Sequence, residues 1–526
     1  MDPKHLMTPG ANLTEPEDSR QPIVGVPTAV PGFVGYTETA EVDGKSVHGK
    51  PVKITSLAVY EEIFGKGFSA CFRIDKGTAD DFDIELTKVD ESKEYRRLSA
   101  GPRFYLYESL CLFFDNGGGD AYVVSVGTYT DGGAQAGGVS VSLDALQSGL
   151  KALGAEPGPT LLAIPDAMLL PNANDVQTLV SHENDGMLAQ CGRLRDRMAI
   201  LDVYGTDTLD GASPDVSAQL DALMETLYDT VGNSYLSYGA VYFPFLETNL
   251  VSESEIDYTR VAPGGSAGDL ASLLQTQADV LYAADEARHG EVQQLIDAMA
   301  TTTEPEAIAQ LDKKLAATLP ILGEIKKTIA SRLSTLPPSA ALAGVMTQVD
   351  QMRGVWNAPA NQSLVSVKEP TVQLDDAQQG KLNAPAGGKS VNAIRSFPGR
   401  GTVVWGARTL DGNTEDWRYI QVRRTLIYVE QSVQQGLEAF VFSPNEAGTW
   451  AEVVSTVSSF LQNLWSQGGL MGASASEAFH VQCGLGTTMT AQDLLDGFMT
   501  VQIQLSLVSP AEFITITLRQ ELESSS

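Results

Sequence analysis

The run Met198-Ala-Ile-Leu-Asp-Val203 reads as a buried strand, because its apolar residues follow one another without polar alternation. Ser213 and Pro214 are predicted as the N-cap and first residue of a helix: a hydroxyl can accept from an orphan N–H, and proline has no N–H to leave unpaired. Val216, Leu220, Leu223 and Leu227 then follow at spacings of 4, 3 and 4 on one helical face, and Val241-Tyr-Phe243 is the next strand. Strand and helix alternate upstream as well. The apolar spacing from Phe104 to Phe114 is helical, Asp115-Asn-Gly-Gly-Gly119 is a turn, and Tyr122-Val-Val-Ser-Val126 is a strand. A helix from Leu143 to Leu150, a strand Leu161-Leu-Ala-Ile164 and a single helix from Asp175 to Leu194 complete the series. Such alternation predicts βαβ units and an α/β sheet.

Towards the N-terminus, residues 21–36 are β-prone but carry Pro27 and Pro31, which predicts an edge strand, or a free arm followed by a strand. Val59 to Gly65 reads as a short helix stopped by its glycine. Residues 69–100 are charged and show no period. Residues 262–335 are rich in Ala, Leu, Gln and Glu and predict an inserted helical hairpin. Ile308, Leu315, Leu322 and Ile329 recur there every seven residues, with Pro320 as a kink. After Pro337 the chain is α/β again, with strand Thr402-Val-Val-Trp405, a helix from Asp416 to Leu437, strand Ala439-Phe-Val-Phe442 and a helix that carries Trp450, Val453, Val457, Leu461 and Leu464 inward. Val501, Ile503, Leu505 and Leu507 alternate with polar residues as a half-buried strand, and Phe513 to Leu518 predict a last one.

The 526 residues suffice for about three domains of roughly 150 residues, or one or two large ones. A net charge of −31 argues against binding a phosphate backbone, which draws its affinity from clustered cations. Cys71, Cys111, Cys191 and Cys483 are scattered, so neither a disulfide framework nor a zinc site is encoded locally, and a reducing compartment fits. No secretory h-region and no span of eighteen apolar residues is visible, so no membrane insertion is expected.

Three fragments resemble parts of motifs that carry chemistry. Gly387-Gly-Lys-Ser390 lacks the earlier P-loop glycine, where Asn383 stands. Gly484-Leu-Gly-Thr-Thr-Met489 has Met489 at the third glycine of a dinucleotide fingerprint. Gly264-Gly-Ser-Ala-Gly268 matches GxSxG, which leaves a serine hydrolase using Ser266 as the alternative, although Pro263 rather than a strand precedes it. No catalytic residue, metal site or cofactor is otherwise indicated, and a soluble adaptor is the third reading.

From Pro337 onward the chain resembles the sheath proteins of contractile tails, in particular those of extracellular contractile injection systems related to phage tails. The matching stretches include Pro338-Ser-Ala-Ala-Leu-Ala-Gly344, Arg353-Gly-Val-Trp-Asn-Ala-Pro359, Gly399-Arg-Gly-Thr-Val-Val-Trp-Gly-Ala-Arg-Thr-Leu410, Trp417-Arg-Tyr-Ile420, Phe442-Ser-Pro-Asn445 and Pro510-Ala-Glu-Phe-Ile514. Pro31-Gly-Phe-Val-Gly35 and Phe113-Phe-Asp-Asn-Gly-Gly118 are similar to N-terminal blocks of the family.

The resemblance implies an α/β (α+β) multidomain chain whose core sheath domain is built from both chain ends, with inserted domains and extended terminal β arms. The divisions expected are an arm and first strand over 1–40, a core junction over 41–128, a variable insertion over 129–336, the C-terminal core over 337–509 and an arm over 510–526. It further implies a structural subunit that polymerises with itself around an inner tube, is bounded by baseplate and terminal cap proteins, shares its lattice with sheath paralogues or not, and contracts to drive the tube through an envelope. Assembly in the bacterial cytoplasm, within a phage tail or an injection particle that is released or envelope-anchored, goes with it. Family arms add strands to neighbouring subunits, which points here to Ile23, Val24 and Val26 at one end and Phe513, Ile514, Ile516 and Leu518 at the other. Residues 381–424 form a basic island, and Arg418, Arg423 and Arg424 are its candidate contacts with the tube or a neighbour, ordinary intrachain ion pairs being the other reading.

Overall fold

Strand Pro31–Thr37 is buried along its whole length and lies inside a sheet rather than at its edge. In the computed structural model, which describes residues 22–130, 140–209, 211, 213, 215–261, 269–385 and 387–512, it pairs in parallel with Ala121–Thr128 on one side and Leu161–Ala163 on the other. Met198–Leu201, Gly239–Phe243 and Asn392–Phe397 continue the sheet in parallel, and Val52–Ile54 and Gly401–Val404 close its two edges antiparallel. A parallel sheet needs both faces covered, which is why these strands read as unbroken apolar runs.

The covering helices press closely. A Cβ at Gly149, in helix Leu143–Gly154, would run into the side chains of Val34 and Val126. Helix Ser339–Arg353 is buried on nearly every side and packs against Leu106–Asp115, which its run of small residues permits. A Cβ at Gly344 would overlap the carbonyl oxygen of Phe113, a backbone atom that cannot rotate away. Gly344→Ala is therefore expected to destabilise the fold by about 1–3 kcal/mol, read as a lower urea midpoint, although alanine favours helices.

Two carboxylates are buried in this core. Asp202 accepts from the Ser339 N–H at 2.8 Å and the Ser339 hydroxyl at 2.6 Å, and Asp166 accepts from the N–H groups of Tyr36 and Tyr105. Burial pushes Asp202 from its ordinary 3.8 up to about 7, against the pull of its Ser339 bonds. A raised carboxylate makes the folded chain hold more protons than the unfolded one, so its contribution weakens as pH rises from about 4 to about 7. The stability of Asp202→Asn relative to the natural chain should accordingly improve between pH 4 and pH 7, measured as urea midpoints; parallel curves would contradict this.

The expected 129–336 insertion contains parts of two cores. Its strands Leu161–Ala163, Met198–Leu201 and Gly239–Phe243 belong to the main sheet, while a second hydrophobic core joins residues 72–98 to residues 256–330. The unassigned 69–100 stretch is a three-stranded antiparallel sheet of Phe72–Lys76, Ile84–Thr87 and Lys93–Ala100. It buries Phe72, Ile74, Ile84, Leu86 and Leu98 on one face. Four helices, Leu270–Leu281, Glu286–Ala298, Pro305–Thr318 and Pro320–Leu333, stand where one hairpin was expected. Pro320 starts a helix instead of kinking one, a position where its missing N–H costs nothing. Leu315, Leu322 and Ile329 are fully buried in this second core.

Smaller corrections follow from local chemistry. The single 175–194 helix is two, Ala173–Ser181 and Met187–Leu194. Asp215, not Ser213, is the N-cap of Val216–Thr230, and Ser213 accepts from the Asp215 N–H.

By its contacts the chain divides into two compact units, residues 27–427 with 509–526, and residues 1–26 with 428–508. The second unit contains the end of helix Ile420–Leu437, helix Ala447–Ser466 and a two-stranded antiparallel sheet of Phe479–Gln482 and Gln502–Leu505. The expected strand 439–442 is not formed. Glu438–Phe440 is a 3₁₀ turn and Phe442, at φ +70°, is fully exposed.

Candidate assembly interface

At the N-terminal end, residues 22–26 form neither helix nor strand and belong to the smaller unit. The Val26 N–H donates to the Ser432 hydroxyl at 3.1 Å, and Gly436 gives Ile23 room, since a Cβ there would meet its side chain. Ile23 and Val26 are half-buried, whereas Val24 is 75% exposed. The sheet of Phe479–Gln482 and Gln502–Leu505 lies in the same unit, and among the described residues neither strand has a second partner. An open edge of a two-stranded sheet is the feature to which an extended segment can add.

Phe513, Ile514, Ile516 and Leu518 lie outside the described residues, as does Ser266. The last described residue before them is firmly held. Glu512 accepts from Arg408 Nη2 at 2.6 Å and Nε at 2.9 Å, from Asn383 Nδ2 at 2.7 Å and from the Tyr419 hydroxyl at 3.0 Å. Burial alone would raise the Glu512 pKa, but Arg408, Asn383 and Tyr419 outweigh it, and the group stays below its ordinary value. Arg408 belongs to the basic island, but Glu512 and Asn383 were not singled out as partners from the sequence, because only folding brings position 512 next to 383 and 408.

The island itself is mostly satisfied within the chain. Arg424 and Asp350 form a buried pair, with Nη2 to Oδ2 at 2.5 Å and side chains 3% and 5% exposed, and Arg424 also donates to the Thr28 carbonyl. Arg423 is buried, donates to the Ser237 hydroxyl and stacks 3.7 Å over the Trp417 ring. Lys389 donates to the Tyr228 carbonyl, Arg395 pairs with Asp376 and Lys381 with Asp221. Arg418 is half-buried and donates from Nε to the Gly412 carbonyl.

Two family descriptions match adjoining stretches in the second half of the chain: the phage tail sheath protein central domain over residues 261–410 and the phage tail sheath C-terminal domain over residues 413–521. Residues 261–521 thus carry domains of the phage tail sheath family. A tail sheath protein of Burkholderia phage BcepMu is 30% identical to this chain over 153 residues, 28% of this chain and 31% of the relative's own length. Among solved structures it is similar to a chain of the contracted helical sheath of the anti-feeding prophage, with a TM-score of 0.56, 24% identity and coverage of 98% of this chain and 99% of that one. The contracted sheath complex of PVC, an extracellular contractile injection system, gives a TM-score of 0.55 at 24% identity, with 98% of each chain covered. At that identity the likeness concerns the fold. The family and these neighbours are structural sheath proteins, and they give the hydrolase reading of Ser266 no support.

Proposed function

We propose that this sheath chain polymerises helically with copies of itself around an inner tube and contracts to drive that tube through a target envelope. The observation that carries the reading is the pair of sheath-domain matches over residues 261–410 and 413–521, joined to a fold shared along the full chain with contracted sheaths. One similar structure is of the anti-feeding prophage baseplate, and a baseplate partner is proposed here on that likeness. A terminal cap, sheath paralogues and assembly in the bacterial cytoplasm, as part of a phage tail or an injection particle, complete the proposal.

The physical requirement is one subunit with two lattice packings and linkers that stay connected between them. Ile23, Val24 and Val26 at one end and Phe513, Ile514, Ile516 and Leu518 at the other are proposed to supply the linkers, by adding strands to the open sheet of a neighbour. An exposed edge is an aggregation hazard in a monomer, but a heterologous contact that does not close builds a helical filament.

The buried positions of Arg423 and Arg424 favour the intrachain reading for that pair, so contact between the island and an acidic tube or neighbour is proposed through Arg418. Arg418→Glu should then weaken sedimentation with the tube protein at least tenfold while leaving the monomer folded. The polymer reading itself is tested by high-speed sedimentation of the purified chain with its tube protein, where pelleting of both together is expected and two soluble species would contradict it.

A further inference from the structure

Glu512 stands at the root of the expected C-terminal arm, and the geometry points to it as a clamp that delivers tension on that arm to the main sheet. Three separate elements converge on its carboxylate: Asn383 at the end of helix Asp376–Asn383, Arg408 in the loop after strand Gly401–Val404, and Tyr419 just ahead of helix Ile420–Leu437. Arg408 presents two fork nitrogens to the carboxylate from a side chain only 6% exposed. Bidentate, charge-assisted pairs of this kind are geometrically specific as well as strong.

The clamp does not end at Arg408. Its remaining nitrogen donates to the carbonyls of Asn383 and Gly412, and its backbone is locked to one side chain. The Arg408 N–H donates to Asn392 Oδ1 at 2.7 Å, and Asn392 Nδ2 donates to the Arg408 carbonyl at 2.8 Å and to the Val241 carbonyl at 3.0 Å. Asn392 opens strand Asn392–Phe397 and Val241 lies in Gly239–Phe243, two neighbouring parallel strands of the main sheet. A continuous path of hydrogen bonds thus runs from the arm root into the main sheet. A carboxylate free in solvent would serve solubility equally well; one gripped by three elements fixes where the chain departs.

The consequence for assembly rests on the sheath reading above. When a neighbour holds the arm, a pull along it loads Glu512 first, and the clamp keeps the preceding residues from peeling away. Glu512→Gln keeps the shape but removes the charge, and Tyr419→Phe removes a single bond and leaves the ion pair intact. Two readouts are made on the full chain: amide exchange of a peptide spanning residues 509–512 in the isolated subunit, and the pelleted fraction after assembly with the tube protein. Exchange at 509–512 is expected to rise at least tenfold in Glu512→Gln and less in Tyr419→Phe, with exchange at 392–397 unchanged, and the pelleted fraction is expected to fall in the same order. Exchange equal to that of the natural chain in both variants would overturn the clamp. Faster exchange with undiminished pelleting would overturn its role in carrying tension. Should Glu512→Gln fail to fold, Tyr419→Phe alone decides, because the Arg408–Glu512 ion pair stays intact in it. If the natural chain itself does not pellet, the sheath reading fails while the exchange result still decides the clamp.

Discussion

A chain that stops after Glu512 is expected to fold like the full protein and to lose the ability to polymerise. Removing residues 513–526 leaves the Glu512 carboxylate and its three partners in place, and leaves both hydrophobic cores of the larger unit intact. What disappears is Phe513-Ile-Thr-Ile-Thr-Leu518, a segment of β-prone sequence whose proposed contribution to a lattice is main-chain pairing along a sheet edge. The truncated chain should show the same urea midpoint as the full one and at least a tenfold smaller pelleted fraction. Normal polymerisation by the truncated chain would refute the assignment of the C-terminal arm.

The second large effect lies in the buried pair of Arg424 and Asp350. Each side chain is almost wholly withdrawn from water, and Arg424 also donates from Nη2 to the Thr28 carbonyl. Asp350→Ala leaves a buried guanidinium without its counter-charge, a change that costs about 3–5 kcal/mol. Replacing both residues together, Arg424→Met with Asp350→Leu, should recover most of that loss, because no charge then remains to be desolvated. Urea unfolding of the two variants checks both statements. A small effect in Asp350→Ala would mean that water reaches the pair. Charge reversal at Arg424 therefore reports on folding first, which is why Arg418 is the better probe of a tube contact.

Where one period held over a whole element, the sequence made the fold legible. The apolar spacing from Phe104 to Phe114 became helix Leu106–Asp115, and Gly65 stops helix Leu57–Phe64 at φ +78°. The runs at Val123, Leu161, Ala199 and Val241 became strands of one parallel sheet, but their neighbours across it come from distant positions that no local pattern names. Residues 69–100 hid a real alternation. Phe72 and Ile74 point inward and Arg73 outward, and Ile84 and Leu86 flank an exposed Glu85 in the same way, beneath a density of charge that masked the period. Their partner helices begin some 170 positions later, so the second core could be seen only once the chain had folded. At Ala439–Phe442 the β-prone composition misled, because a helix end and a left-handed Phe442 take those residues instead.

The same division applies to the assembly surfaces. The extended, proline-marked residues 22–30 and the alternation at Gln502–Leu505 were visible as patterns. The burial of Arg423 and Arg424 was not, since a basic run on a helix looks alike whether it faces water or Trp417, Ser237 and Asp350. Pro510-Ala-Glu-Phe-Ile514 marked Glu512 as part of a family block without saying what it grips.

Negative-stain electron microscopy of the purified chain, alone and with its cognate tube protein, tests the central claim most directly. Hollow, striated cylinders are the expected result, since a sheath is defined by its helical lattice. Dispersed particles in both preparations would contradict the polymer reading.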